Sequence, residues 1–184
     1  MNIVEAVKTK DEVETIAHKL TLNARGNALY ADIWLFGLNT ALRISDLLDL
    51  TFEDVSGDKL VVKESKTGKT RTIDLNSKAK EVIQRRRAAN PDHTYLFQVD
   101  SNRAKNKPVS RVAVACAFKA VGDELGIQLG THSMRKTRGW LMFSAGVSLE
   151  VICKVLNHSS PAVTMVYIGL TQAEIDSTYH EFVI

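Results

Sequence analysis

The segment ALYADIWLFGLNTAL (residues 28–42) limits the possible folds of this chain more than any other, because it is apolar around almost its whole circumference. A helix that is apolar on all sides is stable only when other elements bury it. The next residues, RISDLLDL (43–50), continue the helical pattern with Ile44, Leu47 and Leu48 on one side. The chain is therefore predicted to fold around a buried helix.

The periodicity then changes from helical to strand-like. KLVVKE (59–64) and TRTIDL (70–75) are short runs with β-branched residues, and SKTGK (65–69) between them contains Gly68. Two such runs joined by a turn that contains glycine predict an antiparallel hairpin. LTFEDV (50–55) is a candidate third strand of the same sheet.

Capping signals divide most of the remaining chain into helices. Ser, Thr and Asn side chains accept hydrogen bonds at helix starts, and glycine is favoured just past helix ends. The predicted helices are one after a Thr9/Glu12 capping box, 77–89 after Asn76, 111–125 between Ser110 and Gly126, 132–146 after Thr131, 148–156, one from Ser160-Pro161 to Gly169, and 172–182 after a Thr171/Glu174 capping box. Together with a short extended run at HTYLF (93–97), this pattern predicts a mainly α fold with a small antiparallel β-sheet, in the α+β class.

The length of 184 residues fits one domain, with residues 1–10 as a lead-in and 170–184 as a C-terminal helix or tail. No apolar run approaches the length of a membrane span, and the first residues lack the features of a signal peptide. A cytoplasmic protein without a membrane segment is therefore expected. Cys116 and Cys153 lie in apolar helical contexts, which favours two reduced, buried thiols over a disulfide.

The net charge of +3 is weak evidence for any partner, but the basic residues are clustered. Two groups stand out: Arg85, Arg86 and Arg87 are consecutive, and Arg103, Lys105, Lys107 and Arg111 lie close together. Such groups are either solvated faces or surfaces that bind phosphates.

Several residues could carry chemistry, although each has an ordinary structural explanation. His132 and Arg135 share one face near a predicted helix start, where anions are favoured, but such pairs occur on many surfaces. Arg43 could be oriented by Asp46 or could form a simple surface ion pair with it. Lys66 lies at the predicted hairpin tip, where lysines are common.

The last two candidates lie in LNHSSPAVTMVYIG (156–169), where Tyr167 follows His158 by nine residues. Ser160-Pro161 is a strong helix start, so His158 precedes the helix on which Tyr167 lies. The tyrosine could be a packing residue or a nucleophile with its partner. The His18, His93 and His180 side chains are scattered, and the sequence contains no persuasive metal-ligand cluster.

Taken in order, these residues resemble the tyrosine recombinase (phage integrase) family. ALRISDLLDL is similar to its first arginine motif, SKTGKTRTIDL to its β-hairpin lysine motif, THSMRKT to its His-x-x-Arg box, and LNHSSPAVTMVYIG to its closing His and Tyr segment. Asn157 departs from the glycine usual before that histidine, and Ser133-Met134 from the residues common inside the box. A separate N-terminal DNA-clamping domain, which most members have, is not expected here.

The resemblance implies the tyrosine recombinase catalytic-domain fold and a site-specific recombinase that cleaves and rejoins DNA through a 3′-phosphotyrosine intermediate, with no metal, cofactor or ATP. It implies six catalytic residues, with Asp46 behind Arg43: Arg43, Lys66, His132, Arg135, His158 and the nucleophile Tyr167. The DNA contacts would come from Arg85, Arg86, Arg103, Lys105, Lys107 and Arg111.

The implied partners are double-stranded DNA with specific recombination sites and accessory DNA-bending proteins. The protein would form a homotetramer on paired sites and a monomer or weak oligomer alone, and it would associate with the nucleoid. Two alternatives share these residues: a type IB topoisomerase, and a recombinase-derived DNA-binding protein without catalysis. The resemblance leaves open whether the outcome is integration, excision, inversion or resolution.

Overall fold

The structure is a computed structural model, which describes residues 4–101, 104–170, 176, 179–181 and 183. The helices in the described part of the chain are α1 (Lys10–Asn23), α2 (Leu29–Thr40), α3 (Ile44–Leu48), α4 (Ser77–Ala89), α5 (Arg111–Leu125), α6 (Ser133–Ser144), α7 (Leu149–Leu156) and α8 (Pro161–Ile168). The strands are β1 (Lys59–Lys63), β2 (Thr70–Asp74), β3 (Gln98–Ser101) and β4 (Ala104–Pro108). The predicted mainly α fold with little antiparallel sheet is confirmed.

Helix α2 is the centre of the core, as its sequence predicts. Ile33, Trp34 and Phe36 are fully buried. The Trp34 ring meets Phe118 of α5 edge-on with centroids 5.6 Å apart, and Phe36 meets Phe97 in the same way at 5.7 Å. Helices α1, α4, α5 and α6 pack around α2 and cover its apolar surface.

The predicted start signals are confirmed at four helices. The Thr9/Glu12 capping box begins α1, and the side chains of Asn76, Ser110 and Ser160 accept backbone N–H groups at α4, α5 and α8. The predicted cap at Thr131 is wrong, because His132 occupies the N-cap position of α6 without a side-chain bond. The helix predicted over 172–182 lies mostly outside the described residues.

The β-structure differs from the prediction in two places. The expected hairpin is present, with β1 and β2 antiparallel and Lys63 opposite Thr70. The proposed third strand at 50–55 is wrong, because Thr51 makes a single bridge to Tyr95 and its N–H and hydroxyl then bind Asp54 in a turn. A second antiparallel hairpin, β3–β4, was not predicted, because its strands lack the apolar alternation that indicates a strand.

The remaining sequence expectations concern the cysteines and the membrane. Both cysteines are free thiols, but only Cys153 is buried, whereas Cys116 is exposed on α5. Within the described ranges, no helix has both the length and the apolar character needed to cross a membrane.

Candidate active site

A break in the chain after α2 places Arg43. The sequence predicted that helix to continue through residue 43, but it ends at Thr40, and Ala41 adopts a left-handed conformation with φ 52°. Arg43 is extended with φ −69° and ψ 149°, and α3 begins at Ile44. The break turns the Arg43 side chain toward the β1–β2 hairpin, where its Nη1 donates to a Glu64 carboxylate oxygen at 2.6 Å.

Arg135 lies in the floor of the site and is only 2% exposed. Its Nη2 donates to the Leu156 carbonyl at the end of α7 at 2.5 Å, and its Nη1 donates to the Ala41 carbonyl just after α2. Helix C-termini leave carbonyls without partners, and one guanidinium here satisfies two of them. Arg135 therefore joins the two segments that carry Arg43 and His158.

Tyr167, on α8, lies between the two histidines. Its hydroxyl is 3.2 Å from Nδ1 of His132, and its ring centroid is 4.6 Å from that of His158. Burial raises the pKa of the Tyr167 phenol, while the charges of Arg135 and Arg43 and a hydrogen bond from Arg135 act against that effect. The phenol is therefore protonated at neutral pH and needs a proton acceptor in order to attack.

His132 meets that requirement. Burial lowers its pKa, and the positive charges of Arg135, Lys66 and Arg43 lower it further. The imidazole is therefore neutral at neutral pH, and a ring nitrogen facing the Tyr167 hydroxyl can accept a proton.

His158 is placed by the turn that ends α7. Asn157 is left-handed with φ 51°, and the His158 backbone N–H donates to the Cys153 carbonyl at 3.0 Å. Nδ1 of His158 lies 3.0 Å from the Thr164 hydroxyl, which leaves Nε2 for a substrate. Burial, Arg135 and Arg43 lower the pKa of His158 to about 4, so this ring is also neutral at neutral pH.

Lys66 lies in the turn between β1 and β2 and is exposed. Its positive charge is among those that lower the pKa of His132, so the two side chains are close enough to interact electrostatically. Lys63 lies on the outer face of β1, where exposed residues alternate with the buried Leu60 and Val62. The hairpin register thus favours Lys66 over Lys63 as the lysine that can reach a substrate.

The role predicted for Asp46 is wrong. Its Oδ1 accepts hydrogen bonds from the Ser65 N–H at 3.0 Å and the Ser65 hydroxyl at 2.6 Å, not from Arg43. Asp46 therefore holds the start of the turn that carries Lys66. The reason is geometric: the helix begins after Arg43, so Arg43 and Asp46 do not share a helical face.

The carboxylate that binds Arg43 is Glu64, which the sequence analysis missed. Glu64 is fully buried and also accepts from Arg71 at 3.1 Å, from the Thr67 hydroxyl at 2.9 Å and from the Asn157 amide. Burial alone would raise its pKa, but the bonds from Arg43, Asn157, Thr67 and Arg71 together lower it to about 2. The alternation of buried Leu60 and Val62 along β1 was the available signal, since it directs Glu64 inward.

The three consecutive arginines of α4 bind to the protein itself. Arg86 is 7% exposed and donates to the Leu96 carbonyl, so the structure contradicts its prediction as a DNA contact. Arg85 donates to the buried carboxylate of Asp32 at 2.9 Å, and Arg87 lies 3.7 Å over the Phe52 ring. These contacts favour a structural role for the cluster, but Arg85 and Arg87 are exposed, so the DNA contact of Arg85 stays a prediction.

The second basic group is open to solvent. Lys105, Lys107 and Arg111 are exposed, whereas Arg103 lies outside the described residues. Arg111 begins α5 and lines the same cavity as His132. The exposed members of this group therefore stay predicted DNA contacts, and Arg111 lies beside the site.

Comparison with known proteins places this arrangement in a family. Residues 7–174 match the model of the phage integrase family. The probable integrase/recombinase YoeC of Bacillus subtilis strain 168 is 32% identical over 99% of this chain and 98% of that protein. The tyrosine recombinase XerA of Pyrococcus furiosus is 30% identical over 89% of this chain but 57% of that protein. The chain thus spans little more than half the length of this second relative.

Solved structures support the same fold. The crystal structure of XerA recombinase superposes with a TM-score of 0.71 at 19% identity, over 97% of this chain and 64% of that one. A lambda integrase dimer bound to a COC′ core site superposes with a TM-score of 0.69 at 18% identity, over 92% of this chain and 50% of that one. With the sequence matches, these likenesses show that the chain belongs to the phage integrase family of tyrosine recombinases and has their catalytic-domain fold.

Proposed function

We propose that this chain catalyses site-specific strand exchange in double-stranded DNA, with Tyr167 as the nucleophile. The single observation that carries the proposal is the position of the Tyr167 hydroxyl, 3.2 Å from His132 and beside Arg135 and His158. A packing tyrosine needs none of these groups. A nucleophile that attacks a phosphodiester needs a proton acceptor and cations for the phosphoryl oxygens.

The first half-reaction is a transesterification. The Tyr167 oxygen attacks phosphorus while its proton passes to His132, and the bond from phosphorus to the 5′-oxygen breaks. Lys66 gives a proton to that leaving oxygen, so the products are a 3′-phosphotyrosine bond and a free 5′-hydroxyl. The second half-reaction reverses these steps with the 5′-hydroxyl of the partner strand. One phosphodiester bond is broken and another is formed, so the exchange needs no ATP.

The two arginines and His158 act on the non-bridging oxygens. The transition state spreads negative charge over these oxygens, and guanidinium groups bind them in bidentate fashion. Arg135 is held in the floor by two carbonyls, so it needs no reorganisation when the charge develops. His158 presents Nε2 to the same phosphate.

The assembly that exchanges strands contains more than one copy of the chain. A single site cleaves one strand at a time, so exchange between two duplexes requires several protomers on paired DNA sites. The lambda integrase match is a dimer bound to a core site, which supports a multimeric complex here. We extend this to a tetramer on two recombination sites, with accessory DNA-bending proteins as further partners and a location at the nucleoid.

A covalent trapping experiment tests the nucleophile. The protein is incubated with a nicked duplex that carries a candidate recombination site. After cleavage the short fragment with the 5′-hydroxyl dissociates, so the strand cannot be rejoined. Denaturing gels then reveal the protein–DNA adduct. We expect Tyr167→Phe to bind DNA but form no adduct. Tyr179→Phe is the matched control, since Tyr179 is 76% exposed, and it should form the adduct as the wild type does.

An adduct from Tyr167→Phe would show that another residue is the nucleophile. A plasmid with two sites separates the possible activities of the wild-type protein. Recombinant products support strand exchange, relaxation without site preference would indicate a topoisomerase, and binding without an adduct would indicate a protein that has lost catalysis.

A further inference from the structure

One buried carboxylate connects the segments of the candidate site. Glu64 receives hydrogen bonds from residues on four segments: Arg43 before α3, Thr67 in the hairpin turn, Arg71 on β2 and Asn157 after α7. Its side chain is fully shielded from solvent. A buried charge is tolerated only when it is paired and fully hydrogen-bonded, and Glu64 meets that condition.

Arg71 binds one carboxylate oxygen of Glu64, and the three contacts to the other oxygen fall into two sets. The first set lies within the hairpin turn. The Thr67 hydroxyl donates to the carboxylate at 2.9 Å, the Gly68 N–H donates to the Glu64 carbonyl at 2.8 Å, and the Thr67 hydroxyl also accepts the Lys69 N–H at 3.3 Å. These bonds enclose Lys66 in the chain, so they hold the backbone from which its side chain extends.

The second set crosses to the phosphate-binding side of the site. Arg43 binds Glu64 through Nη1 at 2.6 Å, which leaves its other N–H groups for a phosphate. The Asn157 amide donates to the same oxygen, and His158 is the next residue. The left-handed backbone of Asn157 needs only glycine or asparagine, so the side-chain bond to Glu64 is a separate contribution.

We infer that Glu64 is a positioning residue with two separable functions: through Thr67 it places Lys66 for protonation of the leaving group, and through Arg43 and Asn157 it places the groups that bind the phosphate. The inference rests on the proposed strand-cleavage function. It requires that the two sets of contacts affect different chemical steps, protonation of the leaving group and binding of the phosphate. A merely structural carboxylate would not produce this difference.

Two conservative substitutions separate the sets. Thr67→Val keeps the shape of the side chain and removes the hydroxyl. Asn157→Gly keeps the left-handed backbone and removes the amide. Cleavage rates are measured on two substrates, one with the natural bridging 5′-oxygen and one with sulfur in its place, because a thiolate leaves without needing a proton.

We expect Thr67→Val to cleave the oxygen substrate about 10-fold or more slowly, the size of one lost hydrogen bond to a charged group, and to cleave the sulfur substrate at nearly the wild-type rate. Asn157→Gly should be slowed by a similar factor on both substrates. Thr67→Ser, which restores the hydroxyl, should recover most of the oxygen rate. Thr72→Val, on the exposed outer face of β2, is the matched control and should behave as the wild type.

Equal slowing of both substrates by Thr67→Val would overturn the inference, because it would mean that the turn only holds the site together. Wild-type rates for both variants on both substrates would overturn it as well. If the wild-type protein forms no covalent adduct with either substrate, the proposed function fails and the inference fails with it. If the wild type cleaves DNA but neither variant responds differently to the oxygen and sulfur substrates, only the inference about Glu64 fails.

Discussion

Glu64 and Asp46 are neighbouring buried carboxylates with different tasks. Glu64 binds the Arg43 guanidinium, whereas Asp46 accepts two hydrogen bonds from Ser65. Of these two carboxylates, only Glu64 forms ion pairs with two arginines, Arg43 and Arg71. The difference should appear in how the stability of the protein depends on pH.

We expect the free energy of unfolding to fall as the pH drops below 4.5, in part because of Glu64. Its pKa falls from 4.5 to about 2 on folding, so its contribution is present above 4.5 and is lost as the pH falls toward 2. The shift corresponds to roughly 3 kcal/mol at neutral pH, as an order of magnitude. Glu64→Gln should lose this contribution, so the difference in stability between wild type and variant should shrink with acidity.

Urea unfolding at neutral pH and at several values between 4.5 and 2 measures this difference. Asp74→Asn, on the exposed outer face of β2, serves as the control for the loss of a carboxylate. A difference that stays constant down to pH 2 would mean that Glu64 is not the charged group that the arginines stabilise.

The ends of two helices, α2 and α7, supply the carbonyls that hold the arginines of the site. The carbonyl of Ala41, just after the last residue of α2, accepts from Arg135, and so does the carbonyl of Leu156, the last residue of α7. Arg71 adds a bond to the Val155 carbonyl at 2.8 Å. Arginines thus satisfy the carbonyls that helix ends leave free, and the helix ends in turn orient the arginines.

The close approach of α6 to α8 positions Tyr167 relative to Arg135. Gly139 is buried on α6, and a Cβ atom there would lie 2.6 Å from Cγ2 of Ile168 and 3.1 Å from Leu156. Ile168 follows Tyr167 directly in the chain, so a side chain at position 139 that displaces Ile168 also shifts the tyrosine.

We therefore expect Gly139→Ala to reduce the free energy of unfolding by about 1–3 kcal/mol, as overpacking does, and to slow cleavage more than it weakens DNA binding. Thermal or urea unfolding, the rate of adduct formation and DNA affinity are the measurements. Ser144→Ala, at the exposed end of α6, is the control and should change none of them.

Adding a second substitution, Ile168→Ala, removes the Cγ2 atom that the Cβ introduced by Gly139→Ala would meet. If the double variant recovers part of the cleavage rate lost in Gly139→Ala, the contact accounts for the effect. Loss of affinity and rate by the same factor would instead indicate a general disturbance of the fold.

Across the whole molecule, some basic side chains bind groups of the protein itself and others are free to bind DNA. Arg86 is buried and Arg85, although exposed, forms an ion pair with the buried Asp32, whereas Lys107 on β4 and Arg111 at the start of α5 are exposed. Only exposed cations can displace the counterions of DNA, so the size of the basic clusters in the sequence overstates the DNA-binding surface.

Salt titrations of DNA binding should distinguish the two uses. We expect Lys107→Ala to weaken binding and to reduce the slope of log K against log salt by about 0.9, the effect of one phosphate contact on B-DNA. Arg85→Ala should leave that slope unchanged but lower the free energy of unfolding, because Asp32 would remain buried without its partner. The opposite pattern would show that α4 faces the DNA.

Local features of the sequence were sufficient for the parts of the fold that depend on neighbouring residues. The caps at Thr9, Asn76, Ser110 and Ser160 were predicted because a side chain and the N–H that it caps lie within three residues. The buried helix α2 and the β1–β2 hairpin followed from periodicity in the same way. The β3–β4 hairpin was missed because its strands lack the apolar alternation that identified β1 and β2.

The six candidate catalytic residues were named from the sequence because their types and order resemble a known family, and their proposed roles await the experiments above. Their mutual arrangement depended on contacts between distant parts of the chain. Asn157 reaches Glu64 across 93 residues and Arg135 reaches the Ala41 carbonyl across 94. Such contacts form only when the helices pack around α2, because packing brings together helix ends and a hairpin that no local pattern connects. For the same reason, packing assigned Glu64 to Arg43, Asp46 to Ser65 and Arg86 to the interior.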